Sequence, residues 1–163
     1  MEDLGEIVYV LGIKVTRNQE DRTIYLSQEL YVHKILDEFG MLNCKPVSTP
    51  MNPGCRLSPS NQRNSNNSFE YQKAVGLLNY LVTCTRPDLA YLTSSLSQFL
   101  DCPSDDHVAA FKRRLRYLQG TKGFLLVLGG NNPSSTISGF ADSDWGSNSD
   151  GNRFLGLEFC LED

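Results

Sequence analysis

Two aspartates and one basic cluster are the places where this sequence could do chemistry. Asp142 and Asp144 stand in Gly139-Phe-Ala-Asp-Ser-Asp-Trp145. On a strand, residues two apart share a face, so both carboxylates would point the same way. Two hard oxygen donors on a rigid strand are the beginning of a Mg²⁺ or Mn²⁺ site. Spacing alone favours a plainer reading: solvated acids at a strand end, next to the turn-forming Gly146–Gly151 segment. A two-metal site needs further carboxylates. Glu158 and Glu162 follow in sequence, but nothing in the sequence places them against Asp142.

The basic cluster is Lys112, Arg113, Arg114 and Arg116, in Phe111-Lys-Arg-Arg-Leu-Arg-Tyr-Leu118. On a helix, Lys112 and Arg116 are four apart and Arg113 and Arg116 three apart, a spacing that could grip successive phosphates of a nucleic acid. All four are expected to point outward. The competing reading is a solvated face whose arginines complement the negative end of the helix dipole. Tyr117 lies beside them, but one aromatic is not a stacking platform. His33 and His107 have no nucleophile at a recognisable spacing and read as surface or helix-start histidines. No phosphate-cradling glycine loop and no Gly-x-Ser-x-Gly elbow occurs. The five cysteines are scattered, with no Cys-x-x-Cys pair, and read as reduced thiols of an intracellular protein. A zinc site from Cys44, Cys55 and a distant histidine is the weaker alternative.

The elements that must position these groups can be read in order. A length of 163 residues suits one domain, or one small domain plus pieces, and 40% hydrophobic with 21% charged residues is ordinary for a globular chain. The net charge of -4 argues against a wholly basic nucleic-acid protein, so the positive charge is local. No apolar run reaches the roughly 20 residues that span a bilayer, and no signal peptide opens the chain. Ile7 to Arg17 is expected as a strand, Asn18 to Arg22 as a turn, and Thr23 to Ser27 as the return strand. Gln28 to Phe39 is expected as a helix, with Tyr31, Ile35, Leu36 and Phe39 inward and Gly40 past its end.

Pro46, Pro50 and Pro53 then forbid regular structure, and residues 54–68 read as a loop. Three helices with one apolar core follow. The first carries Tyr71, Ala74, Val75, Leu77, Leu78, Leu81 and Val82, with Gly76 either permitting a close helix contact or marking loose packing. The second starts at Arg86-Pro-Asp, with Pro87 at its first position and Leu89, Leu92, Leu96 and Phe99 inward. The third is capped by Ser104, with Asp105 and Asp106 in its first turn and Val108, Phe111, Leu115 and Leu118 inward. Phe124 to Leu128 reads as a short strand, and Thr136 to Trp145 as a strand whose hairpin partner is Phe154 to Leu161. The expected fold class is α+β: an antiparallel hairpin plus helix, a three-helix bundle, then a β-hairpin.

Several blocks in this order resemble the polyprotein of copia-type (Ty1/copia) retrotransposons, where reverse transcriptase gives way to RNase H. They are Asp3-Leu-Gly-Glu, Leu11-Gly-Ile-Lys-Val, Ile24-Tyr-Leu-Ser-Gln-Glu with Tyr31, Cys44-Lys-Pro-Val-Ser-Thr-Pro-Met, Tyr71 to Leu81, Thr85-Arg-Pro-Asp-Leu-Ala-Tyr, Leu115-Arg-Tyr-Leu-Gln-Gly-Thr-Lys and Gly139-Phe-Ala-Asp-Ser-Asp-Trp. The resemblance implies that residues 1–53 are the tail of the palm, 69–130 a thumb/connection-like bundle, and 136–163 the start of an RNase H-like domain cut short. It implies template–primer or RNA–DNA hybrid as partner, with phosphate contact by Lys112, Arg113, Arg114 or Arg116. It makes Asp142 the first metal-binding carboxylate of RNase H, with Asp144 in the same motif, and Mg²⁺ or Mn²⁺ the cofactor of the intact enzyme.

The sequence also departs from that pattern. The Tyr-Val-Asp-Asp-type polymerase signature is absent, and the RNase H pattern breaks after Asp150. The chain is therefore expected to be inactive alone, binding no metal, and to be intracellular, cytoplasmic or nuclear, without membrane contact. Two readings of another class stand beside it: a non-catalytic nucleic-acid-binding module, and a fragment that docks on an intact retrotransposon polymerase.

Overall fold

The computed structural model describes residues 5–52, 57–59, 68–130, 136–144 and 154–162, the last two segments and residues 68–69 by their backbone alone. The expected loop over 54–68 and the Gly146–Gly151 turn lie mostly outside the described residues. The class is α+β, with a four-stranded antiparallel sheet of order β1-β2-β3-β4, four α-helices and a separate two-stranded hairpin. Two compact units result, one of residues 1–16 with 25–127, the other of residues 17–24 with 128–163.

The stretch read as one strand over Ile7 to Arg17 is two. Strand β1 (Tyr9–Val10) turns back through Leu11 and Gly12 onto β2 (Ile13–Asn18), with Val10 facing Ile13 across the turn. Leu11 (φ 49°) and Gly12 (φ 79°) both take positive φ, as a tight two-residue hairpin requires. Leucine resists that conformation, which is why the sequence conceals the turn; the Tyr80 hydroxyl donates to the Leu11 carbonyl and ties it to the helices. Ile7 to Leu11 are all exposed, at 44% or more. The next turn follows expectation: the Asn18 side-chain oxygen accepts from the backbone N–H of Glu20 and Asp21, leading into β3 (Thr23–Ser27). Strand β4 (Leu126–Gly129) ends where only glycine fits, because Gly129 has φ 83° and a Cβ there would collide with the Arg22 carbonyl.

Helix α1 (Glu29–Glu38) buries Val32, Ile35 and Leu36, with Tyr31 and Phe39 half-buried. Gly40 stops it at φ 63°, and the Met41 N–H closes back on the Leu36 carbonyl at 2.7 Å. Helix α2 (Ser68–Cys84) buries Tyr71, Ala74, Val75, Leu78 and Leu81. A Cβ on Gly76 would meet nothing within 4 Å, so no close helix contact calls for glycine there. A short 3₁₀ turn (Pro87–Leu89) leads into α3 (Ala90–Ser97), and Ser104 opens α4 (Asp105–Gly120). All four helices feed one core, with Phe39, just past α1, edge-on to Phe111 of α4 at 5.0 Å and the Tyr71 hydroxyl donating to the Leu96 carbonyl at 2.9 Å. Among the described residues no helix is long and apolar enough to cross a membrane, and Cys44, Cys84 and Cys102 are free thiols. Cys55 lies outside the described residues.

Arg86 and His107 are buried polar residues that were not expected in the interior. Arg86 is 3% exposed. It forks onto Asp88, donating from Nε and Nη2 at 2.9 and 2.8 Å, and reaches the Thr121 carbonyl from Nη1 at 3.1 Å and the Thr121 hydroxyl from Nη2 at 2.8 Å. Its guanidinium lies over the rings of Phe124 and Tyr117, whose hydroxyl donates to Asp88 at 3.0 Å. The start of α3 is thereby locked to the end of α4. Burial alone would raise the Asp88 carboxyl, but the hydrogen bonds and charge of Arg86, with the Tyr117 bond, hold it below its ordinary value. Removing the guanidinium takes away the cation of Asp88, which keeps only the Tyr117 hydroxyl among these partners, and one of the two donors to the Thr121 carbonyl. Arg86→Met should cost about 3 kcal/mol in urea unfolding, the lower end for a broken buried pair because Asp88 keeps some solvent contact. Arg86→Lys should recover only part of it, lacking the fork; full stability in Arg86→Met would contradict the clasp.

His107 is the other. It is wholly buried, stacked on Phe99 with ring centroids 4.1 Å apart, and its Nδ1 accepts from the Ser104 N–H at 2.8 Å, while Nε2 has no partner among the described residues. It is a helix-start histidine, as expected, but not a surface one. Burial pushes its pKa down, against the opposing charge of Asp106. A folded value below the ordinary 6.5 means the unfolded chain takes up the proton first as pH falls. The stability due to neutral His107 is thus present above 6.5 and lost below it. The melting temperature should drop between neutral pH and ~5, the range of histidine titration, and His107→Asn should flatten that slope. An unchanged slope in the variant would contradict it.

Candidate nucleic-acid interface

The four basic residues of α4 are distributed by the helical period. Arg114 is three residues after Phe111 and four before Leu118, both core positions, so its Cβ falls on the inward stripe with His107 and Leu115. The expectation that it points outward is corrected: Arg114 is 1% exposed. Among the described residues its Nε and Nη1 have no hydrogen-bond partner. Burial lowers its pKa to about 10, opposed by Tyr71, so it remains a cation at neutral pH. Burial likewise pushes the Tyr71 hydroxyl up to about 12, with the Arg114 charge acting against it.

Arg113 and Arg116 are half-buried and already committed. Arg116 donates from Nε to the Lys45 carbonyl at 2.7 Å, its own carbonyl accepts from the Val47 N–H at 3.4 Å, and Arg113 donates from Nη2 to the Thr49 hydroxyl at 3.0 Å. Gln119 adds a bond to the Leu42 carbonyl at 2.7 Å. These residues thus strap the proline-punctuated Leu42–Thr49 segment along α4. That segment cannot pair its own backbone regularly, because proline removes donors and biases the chain toward extended forms; side chains of α4 accept the task. Gly120 takes part sterically, since a Cβ there would press on the Pro46 side chain at 3.1 Å. Lys112 is exposed and so is Lys45. The exposed positive charge here is therefore lysine, the arginines being half-buried or buried.

Asp142 and Asp144 lie on β5 (Thr136–Asp144), paired antiparallel with β6 (Phe154–Glu162). Asp142 is registered opposite Gly156, Asp144 opposite Phe154, and Glu158 opposite Phe140. Opposed residues share a face, so Asp142, Asp144 and Glu158 occupy same-face positions of the ladder, Glu158 diagonal to Asp142. The sequence did not supply that placement. Among the residues whose side chains are described, no group of three His, Cys, Asp or Glu comes together that could hold a metal. Arg86, Arg114 and His107 are the residues that reading by composition missed. For Arg114 and His107 the signal was available in the helical period, while Arg86 precedes its helix and gave none.

No family model matches the chain, and no solved structure matches it significantly. Among curated proteins it is 41% identical over 150 residues to the retrovirus-related Pol polyprotein from transposon TNT 1-94 of Nicotiana tabacum, a match covering 88% of this chain and 11% of that one. It is 37% identical over 150 residues to the retrovirus-related Pol polyprotein from transposon RE1 of Arabidopsis thaliana, covering 92% and 10% respectively. It is also 31% identical over 126 residues to the putative transposon Ty5-1 protein of Saccharomyces cerevisiae, covering 77% of this chain and 41% of that one. The chain spans about a tenth of the length of the plant polyproteins it matches. With 37–41% identity to the plant polyproteins over 88–92% of its length, the chain belongs to the retrovirus-related Pol polyproteins of copia-type transposons.

Proposed function

We propose that this chain corresponds to the part of the polyprotein in which reverse transcriptase passes into RNase H, and that its helical unit contacts the backbone of a template–primer or RNA–DNA duplex. The observation that carries the reading is the basic face of α4. Lys112 is exposed on it, and Arg113 and Arg116 hold the neighbouring segment that carries the exposed Lys45. Arg114 takes no part on the exposed face. Duplex phosphates are read by charge rather than by base, so such a contact is salt-dependent and indifferent to sequence.

In the parent enzyme Asp142, with Asp144, would hold a divalent cation, which would activate water and steady the charge on a scissile phosphate. The sequence departs from the RNase H pattern after Asp150, and the Tyr-Val-Asp-Asp signature is absent from it. The chain by itself should therefore incorporate no dNTP on a primed RNA template and leave an RNA–DNA hybrid uncut in Mg²⁺. Cutting that is abolished by Asp142→Asn would overturn this.

Binding is tested by fluorescence anisotropy of a labelled RNA–DNA hybrid at several salt concentrations. The affinity should fall with salt at ~0.9 log units per log unit for each phosphate contact, and Lys112→Glu should remove at least one such contact. Salt-independent binding, or a Lys112→Glu curve that overlays the parent, would contradict the proposal.

A further inference from the structure

One hydroxyl of the strapped segment is both open to solvent and held by a cation. Thr49 is exposed, lies in no helix or strand, and precedes Pro50, which biases it toward an extended backbone. Its Oγ accepts from Arg113 Nη2 at 3.0 Å. A neutral hydroxyl is a modest partner for a guanidinium, whose fork matches carboxylate and phosphate. Proline follows serine or threonine at one other place, Ser58-Pro59, where Ser58 is also exposed. Ser58 and Arg113 line one recess of about 410 Å³, but Asp106 is on the same wall, so a phosphate on Ser58 would meet a like charge. From Met41 to Phe69 the sequence holds no aspartate or glutamate, and Lys45, Arg56 and Arg63 make that stretch basic. An anion placed on Thr49 therefore meets an arginine already in contact and no acid from its own segment.

We propose that Thr49 is a phosphorylation site for a proline-directed protein kinase, and that Arg113 clasps the phosphate once it is there. In the transfer the Thr49 oxygen bonds the γ-phosphorus of ATP, the bond from that phosphorus to the β-phosphate oxygen breaks, and ADP and the hydroxyl proton leave. The product carries about two negative charges at neutral pH and three strong acceptor oxygens. Arg113, which now donates to a neutral hydroxyl, then donates to an anion at nearly the same place, and the bond is charge-assisted on both sides. The modification thus fastens the Leu42–Thr49 segment more firmly to α4. The Arg113–Thr49 bond lies at the surface and holds a segment without regular structure, so it opens locally for the kinase while the helices stay folded. The inference stands on this contact and makes no use of the duplex reading.

The test treats the full chain with Mg²⁺-ATP and a mitogen-activated protein kinase, a class that requires proline after the acceptor. Peptide mass spectrometry should place a phosphate on Thr49, and Thr49→Ala should lose it. No incorporation, or incorporation at Ser58 alone, would overturn the site. The clasp is read by phosphorus NMR as pH is varied. The second ionisation of an unperturbed phosphothreonine lies at ~6. A guanidinium in contact favours the dianion, so the folded phosphoprotein should titrate about one pH unit below the same molecule unfolded in urea. Arg113→Gln should bring the folded value back toward the urea value. Arg114 and Asp106, which share the recess wall with Arg113, act in opposite directions and are unchanged in that variant. The phosphorylated parent should also melt a few degrees above the unmodified chain, a rise absent in Arg113→Gln. Equal titration of the folded and unfolded parent would overturn the clasp without any variant having to fold, and an Arg113→Gln curve that overlays the parent would overturn it as well.

Discussion

The helical unit depends on one buried cation, Arg86. It sits where α2 has ended and α3 has not begun, so the surrounding backbone has no regular ladder to satisfy it. A single planar guanidinium meets the Asp88 carboxylate with two nitrogens and the end of α4 with the rest, and two aromatic rings close over it. The charge is paired and every nitrogen of its fork has a partner, the condition under which a buried ion is tolerated. The block Thr85-Arg-Pro-Asp therefore has a structural meaning as a corner piece. Thr85 contributes too, donating its hydroxyl to the Gln28 side chain at 2.7 Å and so joining the start of α1 to the same corner.

Against that frame the arginines of α4 differ by position alone. Successive residues on a helix are turned by about 100°, since 3.6 residues make a turn. Arg113 and Arg116 fall on the flank that meets the Leu42–Thr49 segment and become its hydrogen-bond donors. Arg114 falls inside. Lys112 alone of the four is exposed. A cluster that reads as one basic patch in the sequence is thus three environments in the fold, and only the lysine has its charge wholly free for a distant partner.

Much of the scaffold was legible before any coordinates. Gly40, Pro87 and Ser104 mark helix ends by chemistry that acts locally, and each stands where the local rule puts it. The β5–β6 pairing was legible from two apolar runs flanking turn residues. What escaped was set by distant contacts or by strain. Leu11 at positive φ breaks the rule by which turns are recognised, and its turn is held by Tyr80 from α2. Val32 was passed over for Tyr31, although the neighbouring helices select Val32 as the buried residue. Arg114 and His107 escaped because residue type was weighed above helical period, and here the period decides. The candidate site was legible in its location on α4 but not in which side chains are free.

The central claim is that Arg86 and Arg114 are interior cations while the exposed basic face is carried by lysine. The most direct measurement is hydrogen exchange of the arginine Nε–H groups, observed by NMR at the side-chain nitrogens. Arg86 and Arg114 should give dispersed, slowly exchanging signals, protected well beyond the exposed Arg17. Exchange at both positions as fast as at Arg17 would contradict the account.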